Sequence, residues 1–417
     1  MTVLVVGAGP TGLAMALDLA RRDVPVRVID KAPAYFQGSR GKGIQDRTLE
    51  VFADFGIRDE ILAAGRHSMM RLYVNGEYRN DVDGNALIIP QWKVEEALRD
   101  KLAEHGVKVE LDTELLDLDG TTSQGGIDAD YIVGCDGGRS TVRKLLGVQL
   151  EGVSGGGDTA MLLGDVEVDG LDPSTGHMWI GNGFYALTPF RTVPQWQVQI
   201  AALDEMTEEP SLEVFQRLFD KMVGLPGVRL SNPTWLSTYH VNVRMVRKFR
   251  VGNVFLAGDA AHVHPPAGGL GMNTGIQDAY NLGWKLAAVI SGEAGDALLD
   301  TYEQERLPIA EWTLSTSSDG LEKIATAVRE GTGGIEAGTS PEHRQLGLGY
   351  PDSPLSRNLV DWDGPKAGYR APWQDELRHK DFTLLTIDGV RVLVRPDGYV
   401  GAVGGPDDDL SVKTYLS

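Results

Sequence analysis

Residues 3–30 read VLVVGAGPTGLAMALDLARRDVPVRVID, and this stretch decides the fold class. The apolar run at 3–6 is typical of a buried strand, and residues 13–20 favour a helix. A second apolar run at 26–29 ends at an acidic residue. The glycines between the first strand and the helix follow the pattern G-x-G-x-x-G, which marks a dinucleotide site in such a strand–turn–helix–strand context. We therefore predict a Rossmann-like α/β unit at the start of the chain.

Each position of this fingerprint has a physical role. Gly7 permits the tight turn, Gly9 lets a pyrophosphate approach the backbone at the helix N-terminus, and Gly12 lets the helix pack close to the strand. Asp30 is placed to accept hydrogen bonds from an adenosine ribose. The candidate cofactor residues of this stretch are Gly7, Gly9, Pro10, Thr11, Gly12, Asp30 and Lys31. The pattern alone leaves open whether the dinucleotide is NAD or FAD.

Composition narrows the class of protein. The 417 residues are enough for two or three domains. A net charge of −20 argues against a nucleic acid partner and against an anionic membrane surface. The single cysteine, Cys135, excludes a multi-cysteine metal site, so we expect no metal and a buried, inert thiol. Because no apolar run approaches roughly 18 residues and no targeting signal is recognisable, we expect a soluble cytoplasmic enzyme.

Two further motifs lie downstream. Residues 129–143, ADYIVGCDGGRSTVR, are a strand that runs into a glycine turn and a helix start. Residues 254–279, VFLAGDAAHVHPPAGGLGMNTGIQDA, are a strand that meets a carboxylate, followed by a Pro/Gly loop that opens a long helix. His262 and His264 of this loop resemble a metal pair, but no acid cluster completes a ligand set, so packing around the loop is favoured.

The three motifs, in this order and separation, resemble the class A flavoprotein monooxygenases, the family of p-hydroxybenzoate hydroxylase and phenol hydroxylase. The resemblance covers roughly residues 1 to 315. Residues 39–50, SRGKGIQDRTLE, are similar to the branch that includes phenol, pentachlorophenol and aromatic-polyketide hydroxylases. The resemblance implies a Rossmann-like, GR2-type FAD-binding domain with an inserted, mostly antiparallel β-sheet substrate domain and a short thioredoxin-like C-terminal extension.

The resemblance also implies roles for the motifs. The Asp136–Gly137 turn would lie near the pyrophosphate and serve NADPH as well, and Asp259 would accept hydrogen bonds from ribityl hydroxyls. The loop after it would pass the isoalloxazine ring, and the N-terminus of the next helix would stabilise negative charge on reduced flavin. Arg40 and Arg47 match family arginines around the cofactors, although surface salt bridges are an alternative. The further candidate cofactor residues are Arg40, Arg47, Gln91, Asp136, Gly137, Gly258, Asp259, Pro266, Gly269, Gly271, Met272 and Asn273.

The implied domain boundaries follow from these motifs. The FAD-binding domain would comprise residues 1–70, 93–150 and 250–330, and the substrate domain residues 71–92 and 151–249. In the substrate domain, Tyr185, Trp235 and Tyr239 are candidates for lining an aromatic pocket, and the alternative is that each packs in the core of the sheet. We predict a helix over roughly residues 308–330, followed by a Gly-rich linker at 331–334. The segment 331–417 as a whole would comprise this linker and a shortened thioredoxin-like part without Cys-x-x-Cys, for which we expect a structural or dimer-supporting role.

The resemblance implies an aromatic hydroxylase that holds FAD non-covalently. NADPH or NADH would reduce the flavin transiently, O2 would give a flavin C4a-hydroperoxide, and the terminal oxygen would pass to a phenolic or polyketide-like ring. Phenol hydroxylases place an aspartate base where this chain has Lys42, which favours an acidic polyphenol that ionises unaided. The alternatives are an antibiotic-inactivating or Baeyer–Villiger-type monooxygenase of the same fold, and a non-catalytic flavin-fold binding protein.

Overall fold

The computed structural model describes residues 1–154, 160–181, 183–201, 208–330, 341–372, 377 and 380–417. The Gly-rich linker expected at 331–334 lies outside the described residues. The helices are α1 (Pro10–Ala20), α2 (Asp46–Phe55), α3 (Arg58–Ala64), α4 (Gln91–Glu104), α5 (Thr141–Leu145), α6 (Leu212–Met222), α7 (Gly271–Ile290), α8 (Asp300–Glu330) and α9 (Val412–Leu416).

The strands of the described residues belong to five sheets. In chain order they are β1 (Val3–Val6), β2 (Val26–Ile29), β3 (Gly43–Ile44), β4 (Arg66–Val74), β5 (Glu77–Ile88), β6 (Val109–Glu110), β7 (Thr121–Thr122), β8 (Gly125–Gly126), β9 (Tyr131–Gly134), β10 (Glu151–Ser154), β11 (Ala160–Asp169), β12 (Gly176–Gly181), β13 (Gly183–Pro189), β14 (Gln195–Ala201), β15 (Arg229–His240), β16 (Asn242–Met245), β17 (Arg250–Val251), β18 (Val254–Leu256), β19 (His262–Val263), β20 (Arg357–Asn358), β21 (Thr383–Ile387), β22 (Val390–Val394) and β23 (Val400–Gly404).

The predicted α/β unit is a six-stranded sheet in the order β17-β18-β9-β1-β2-β6. The central strand β1 pairs in parallel with β2 and with β9, and both β1 and β9 are fully buried. Glycine is required at the turn after β1, because Gly7 has a φ of +104° and a Cβ there would lie 2.5 Å from the Cys135 carbonyl oxygen. A Cβ at Gly12 would lie 1.9 Å from the Gly7 carbonyl oxygen, so α1 packs against this turn only without a side chain.

The second large sheet has eight strands in the order β15-β11-β14-β13-β12-β4-β5-β3. All of its pairings are antiparallel except that of β4 with β12, so the expected mostly antiparallel sheet is confirmed. Side chains alternate between its two faces. One face packs on α6, and its buried core contains Tyr185, Leu187, Trp196 and Val198. The other face looks toward the α/β unit.

Helix α8 differs from the expectation that a helix would begin near Pro308. It begins at Asp300 and carries Pro308 in its interior. Proline favours the first turn of a helix, which is why the sequence suggested a start there. The turns before Pro308 are instead held by burial of Tyr302, Glu305 and Arg306. Tertiary packing thus offsets the missing backbone donor.

The C-terminal segment forms a four-stranded sheet in the order β20-β23-β22-β21. It docks on α7 through an apolar cluster that includes Trp284, Leu393 and Tyr415. Buried ion pairs add to this contact, since Arg395 lies 2.6 Å from the Glu305 carboxylate. No helix in the described part of the chain has the length and apolarity needed to cross a membrane.

Candidate active site

A cavity of about 440 Å³ lies between the α/β unit and the eight-stranded sheet. On one side it is lined by the start of α1 at Gly9, Pro10 and Thr11, and by Asp259. The loop of residues 264–272 forms a second wall, and it leads into the N-terminus of α7. The opposite wall is the inner face of the eight-stranded sheet. The two halves of the fold therefore meet at this cavity.

A second cleft of about 900 Å³ adjoins this cavity. It runs along the carboxyl ends of β1 and β2 and is lined by Gly7, Asp30 and Lys31, with Asp136 on its other side. The cleft and the cavity share five lining residues: Gly9, Arg40, Gln91, Cys135 and Gly137. Together they form a continuous elongated space, which suits an extended dinucleotide. Ligands of open α/β sheets bind at this edge of the strands.

Several features of this space fit FAD. A Cβ built at Gly9 or Gly137 would meet no atom within 4 Å, so the backbone at both positions is open to a bound group. The Gln45 Oε1 atom is buried and accepts no hydrogen bond from the described residues, and Gln45 lines the cavity. The backbone N–H groups at the start of α1 and the exposed Asp259 carboxylate complete a set of donors and acceptors for phosphates and hydroxyls.

Asp30 and Asp136 hold their own loops in place. Asp30 accepts hydrogen bonds from the backbone N–H groups of Ala8 and Ala32, both at 2.8 Å. Asp136 accepts from Ser140 Oγ at 2.5 Å and from the backbone N–H of Thr141 at 2.6 Å, which caps the start of α5. Both carboxylates line the cleft and are also part of its scaffold.

A buried charge cluster supports the turn that carries Asp259. The Asp278 carboxylate accepts from the Gly258 backbone N–H at 3.0 Å, from His262 Nε2 at 2.7 Å and from Arg306 Nε at 2.7 Å. Burial alone would raise the pKa of Asp278, but the charge of Arg306 and the contact with His262 lower it below its ordinary value. The two histidines therefore pack around this loop, as the sequence favours: His264 is buried beside Ser317, and its pKa is lowered by burial.

Gln91 links the segment of residues 39–45 to α4. Its Oε1 accepts from the Gly41 backbone N–H at 2.9 Å, and its Nε2 donates to Glu95 Oε1 at 2.9 Å. Burial raises the pKa of Glu95 to about 7, against the opposing effects of the Gln91 hydrogen bond and the charges of Arg99 and Arg40. Arg40 is exposed and lies over the Phe36 ring at 4.8 Å, at the junction of cleft and cavity.

The sheet wall of the cavity combines apolar and polar side chains. The apolar ones are Met70, Val82, Ala86, Met178, Phe184 and Ala186. The polar ones are Thr188, Gln197 and Gln199, which alternate along β13 and β14 with residues of the α6 core. The Tyr239 hydroxyl donates to the His264 carbonyl oxygen at 2.8 Å, and burial raises the pKa of Tyr239. An apolar wall with a few fixed polar groups is typical of a small-molecule site.

Most of the predicted cofactor residues lie along this space. Fifteen of the nineteen line the cavity or the cleft: Gly7, Gly9, Pro10, Thr11, Asp30, Lys31, Arg40, Gln91, Asp136, Gly137, Asp259, Pro266, Gly269, Gly271 and Met272. Of the others, Gly12 and Gly258 allow close packing behind the lining. Asn273 ties the loop to β3, since its Oδ1 accepts from the Gln45 backbone N–H and its Nδ2 donates to the Gly43 carbonyl oxygen.

Arg47 is not brought to the cleft, which corrects its interpretation as a residue near the cofactors. Its side chain is buried, with 1% of the residue exposed, and Nη1 donates to Glu50 Oε2 at 2.7 Å. Nη2 donates to the Asp397 carbonyl oxygen at 2.6 Å, and the guanidinium lies 5.0 Å from the Tyr399 ring. The buried guanidinium of Arg47 therefore links α2 to the C-terminal sheet.

Two of the three aromatic candidates also lie elsewhere. Tyr185 points to the α6 side of its strand, where its hydroxyl donates to the Phe215 carbonyl oxygen at 3.2 Å. Its neighbours on β13, Phe184 and Ala186, face the cavity. Because side chains alternate along a strand, Tyr185 faces the opposite side of the sheet. Trp235 packs edge-on against Phe36 at 5.7 Å and does not line the cavity. Only Tyr239 of the three lines it.

Sequence reasoning singled out Lys42 but missed its polar neighbours, Thr188 and Asp165. Its Nζ donates to Thr188 Oγ1 at 2.9 Å, on the cavity side of the eight-stranded sheet. Burial lowers the pKa of Lys42 to about 7, and the charge of Asp165 on β11 opposes that shift. The alternation along β13 and β14 indicates which side chains share a face, but not which face looks toward Lys42.

Comparison with known proteins agrees with this geometry. A family model described as FAD binding domain matches residues 1–317. A flavin-dependent monooxygenase of Mycobacteroides abscessus is 38% identical, with 100% of this chain and 99% of that protein covered. The 6-methylpretetramide 4-monooxygenase of Streptomyces rimosus is 36% identical, with coverage of 86% and 72%.

The rifampicin monooxygenase of Streptomyces venezuelae is 32% identical, with coverage of 99% and 97%. Among solved structures, the anhydrotetracycline hydroxylase OxyS of Streptomyces rimosus is 26% identical, with a TM-score of 0.73 and coverage of 99% and 97%. The family match, the fold and the dinucleotide-shaped space at the fingerprint agree with one another. The chain belongs to the FAD binding domain family and is an FAD-dependent flavoprotein monooxygenase.

Proposed function

We propose that the protein hydroxylates a phenolic, polyketide-like aromatic substrate in the cavity between its two large sheets. The observation that carries this proposal is the wall of the cavity, where the apolar residues Met70, Val82 and Phe184 lie next to the polar Thr188 and Gln197. Flat aromatic rings bury well against such side chains, and the polar groups can orient ring hydroxyls. Relatives named for pretetramide and anhydrotetracycline substrates support the same substrate class.

The proposed cofactor arrangement assigns the cleft and the adjoining end of the cavity to non-covalent FAD. Bound flavin, reduced by NADPH or NADH, supplies the activation of O2. The chain's own residues bind and orient: the fingerprint backbone for phosphates, Asp259 for ribityl hydroxyls, and the N-terminus of α7 for negative charge. The sheet wall excludes water from the reacting ring. Arg40, exposed at the junction of cleft and cavity, is the proposed contact for the incoming nicotinamide cofactor.

The proposed domain division keeps the boundaries derived from the sequence, with two differences at the strand level. Strand β3, within the segment 1–70, pairs with β5 in the eight-stranded sheet. Strand β4 begins at Arg66, five residues before the boundary at residue 71. For the C-terminal sheet we retain the proposed structural or dimer-supporting role. Its edge strand β21 exposes Leu384, 45% of which is accessible, and an edge strand can pair with another copy. Light scattering of the purified protein distinguishes a monomer from a dimer.

The test of the proposed function is the rate of NADPH oxidation across a panel of simple phenols and polycyclic phenols, with H2O2 release measured alongside. We expect polycyclic phenols to accelerate NADPH oxidation with little H2O2, and the product to carry one added oxygen. A panel in which every compound releases H2O2 in proportion to NADPH consumed would contradict the proposal.

The second candidate function is inactivation of an antibiotic by oxygenation, which the rifampicin monooxygenase relatives favour. It uses the same cofactor and the same cavity, and it differs in the substrate. Adding rifampicin to the panel separates the two: turnover of rifampicin without turnover of the polycyclic phenols would favour this candidate.

A further inference from the structure

Lys42 occupies an unusual position for a cation. It lines the cavity on the side of the eight-stranded sheet, and its hydrogen bond goes to the neutral hydroxyl of Thr188 at 2.9 Å. No carboxylate among the described residues forms a salt bridge with it. Lys42 is half-buried, and a partly desolvated charge without a paired counter-ion is costly. The ammonium group is therefore available to an anion that enters the cavity.

The surroundings of Lys42 contain a polar atom that lacks a hydrogen-bond partner among the described residues. Gln197, fully buried on β14, also lines the cavity. Its Nε2 donates to the Ser39 carbonyl oxygen, while its Oε1 is buried and accepts no hydrogen bond from the described residues. Buried amide oxygens in proteins normally have a partner. A ligand with a hydroxyl donor next to an anionic oxygen would satisfy Gln197 and Lys42 together.

We propose that Lys42 determines substrate specificity by binding an ionised oxygen on the aromatic ring of the substrate, with Gln197 accepting a hydrogen bond from a neighbouring hydroxyl. The proposal rests on the proposed function, because it places an aromatic substrate in this cavity. It narrows the substrate class to compounds with an acidic ring hydroxyl, such as hydroxyquinones and acidic polyphenols. Lys42 is a binding residue in this proposal and takes no part in oxygen transfer.

The titratable groups around Lys42 set the pH range of the test. Asp165 lies on β11, and burial raises its pKa to about 6, so it is ionised above that pH. Arg40 and Asp259, also in the cavity lining, are exposed side chains of opposite charge. His264 and Tyr239 stay neutral in that range, because burial lowers the pKa of the first and raises that of the second. Burial lowers the pKa of Lys42 to about 7, so Lys42 loses its charge above that value.

The experiment measures binding to the oxidised holoenzyme, without NADPH, by the change in the flavin spectrum. The two probes are lawsone, a hydroxynaphthoquinone whose hydroxyl is ionised at neutral pH, and lawsone methyl ether, which is neutral. We expect Lys42→Met to weaken lawsone binding by roughly ten- to a hundredfold, the size of a lost charge-assisted hydrogen bond. Binding of the ether should change less than about threefold. Lys108→Met, which removes an exposed charge, is the matched control and should leave both affinities unchanged.

The pH dependence gives an independent readout. In the wild type, lawsone affinity should fall by about tenfold or more between about pH 7 and pH 9, as Lys42 loses its proton. Lys42→Arg, which stays charged, should bind lawsone with little change over that range. If Lys42→Met weakens the binding of lawsone and of its ether equally, the Lys42 proposal is wrong and the proposed aromatic site is retained. The same conclusion follows if the affinity of the wild type for lawsone does not depend on pH. If neither probe perturbs the wild-type flavin, the aromatic site and the Lys42 proposal both fail.

Discussion

Asp30 and Asp259 both line the proposed cofactor space, but they differ in what they already bind. Asp30 accepts two backbone N–H groups of its own loops. Asp259 is exposed, and no described residue donates a hydrogen bond to its carboxylate. Its acceptor capacity is thus available to a ligand, whereas that of Asp30 is partly used by the fold.

We predict that Asp259→Ala lowers FAD affinity by roughly ten- to a hundredfold, because a charge-assisted hydrogen bond to a hydroxyl contributes about 1.5–3 kcal/mol. Asp30→Ala should weaken FAD binding less, since the Asp30 carboxylate already accepts two backbone N–H groups and has less acceptor capacity left for a ligand. Titration of the apoprotein with FAD, followed by quenching of flavin fluorescence, gives both dissociation constants. An unchanged constant for Asp259→Ala would show that this carboxylate does not touch the cofactor.

Arg40 is the exposed cation at the junction of cleft and cavity, on a protein whose net charge is −20. Local positive charge offsets that repulsion for an incoming diphosphate. Arg40→Ala should retain FAD and raise the Michaelis constant for NADPH, and the difference from wild type should shrink at high salt. Stopped-flow measurement of flavin reduction over a range of NADPH concentrations, at low and at high salt, tests the NADPH dependence and its sensitivity to salt. Reduction at the wild-type rate would place Arg40 outside the path of the nicotinamide cofactor.

Single residues also show the limit of sequence reasoning. The fingerprint glycines, Asp30 and Asp259 were located by motif, because the chemistry of a dinucleotide fixes which residue types stand next to a strand end. The burial of Arg47 depends on Asp397, which is 350 positions away. The hydrogen bond of Lys42 goes to Thr188, which is 146 positions away. Contacts of that separation leave no local pattern in the sequence.

At the level of elements, side chains of α7 and α8 stabilise the turn after β18, which carries Gly258 and Asp259. The Asp278 carboxylate of α7 accepts a hydrogen bond from the Gly258 backbone N–H, and Arg306 of α8 donates to the same carboxylate. Asp278→Asn would leave Arg306 buried without its counter-charge. We predict a loss of about 3–5 kcal/mol in the free energy of unfolding, together with weaker FAD binding because the turn loosens.

The matched control for Asp278→Asn is Asp23→Asn, which removes an exposed partner of Lys380. Exposed pairs contribute less than about 1 kcal/mol, so this variant should unfold like the wild type. Urea unfolding of the three proteins makes the comparison. If Asp278→Asn were as stable as Asp23→Asn, the buried cluster would not support the turn.

Helix α2 is joined to the C-terminal sheet by Arg47. We predict that Arg47→Met lowers the free energy of unfolding by roughly 1–3 kcal/mol, through loss of its hydrogen bonds to Glu50 and to the Asp397 carbonyl oxygen. The loss stays moderate because Glu50 keeps its contact with Arg370. FAD affinity of the folded protein should not change. Reduced FAD affinity with unchanged stability would restore the interpretation of Arg47 as a cofactor residue.

The elements themselves were well predicted where the local pattern is strong. Strand β1, helix α1 and the sheet strands of 160–201 follow from apolar runs and alternation. The start of α8 was placed eight residues too late, because Pro308 is a local signal whereas the burial of Tyr302 and Arg306 is a tertiary one. The face of β13 that borders the cavity could likewise be identified only from the tertiary structure.

At the scale of the whole molecule, buried carboxylates join the FAD-binding unit to the C-terminal sheet. Burial alone would raise the pKa of Glu305, but the charges of Arg395 and Lys285 lower it well below its usual range. The pKa of Asp278 is also lowered, in its case by the charge of Arg306 and the contact with His262. Folded-state pKa values below the unfolded ones mean that these groups stabilise the protein fully above about pH 5. That stability is lost as the pH falls below about 4, because the unfolded chain takes up protons first.

We therefore predict that the free energy of unfolding falls steeply with acidification below about pH 4. Glu305→Gln should be less stable at neutral pH and show a shallower fall, because one of the linked groups no longer titrates. Urea unfolding at several pH values measures both slopes. Parallel curves for the two proteins would mean that Glu305 does not contribute to the acid sensitivity.

The most direct test of the central claim, that this cavity serves flavin-dependent hydroxylation of an aromatic ring, uses isotopically labelled O2. The holoenzyme is supplied with NADPH and a polycyclic phenol that accelerates NADPH oxidation, and the product is examined by mass spectrometry. We predict that one labelled oxygen atom appears on the ring, in near one-to-one ratio with the NADPH consumed. Product without labelled oxygen, or NADPH consumption that yields only H2O2 with every aromatic compound, would contradict it.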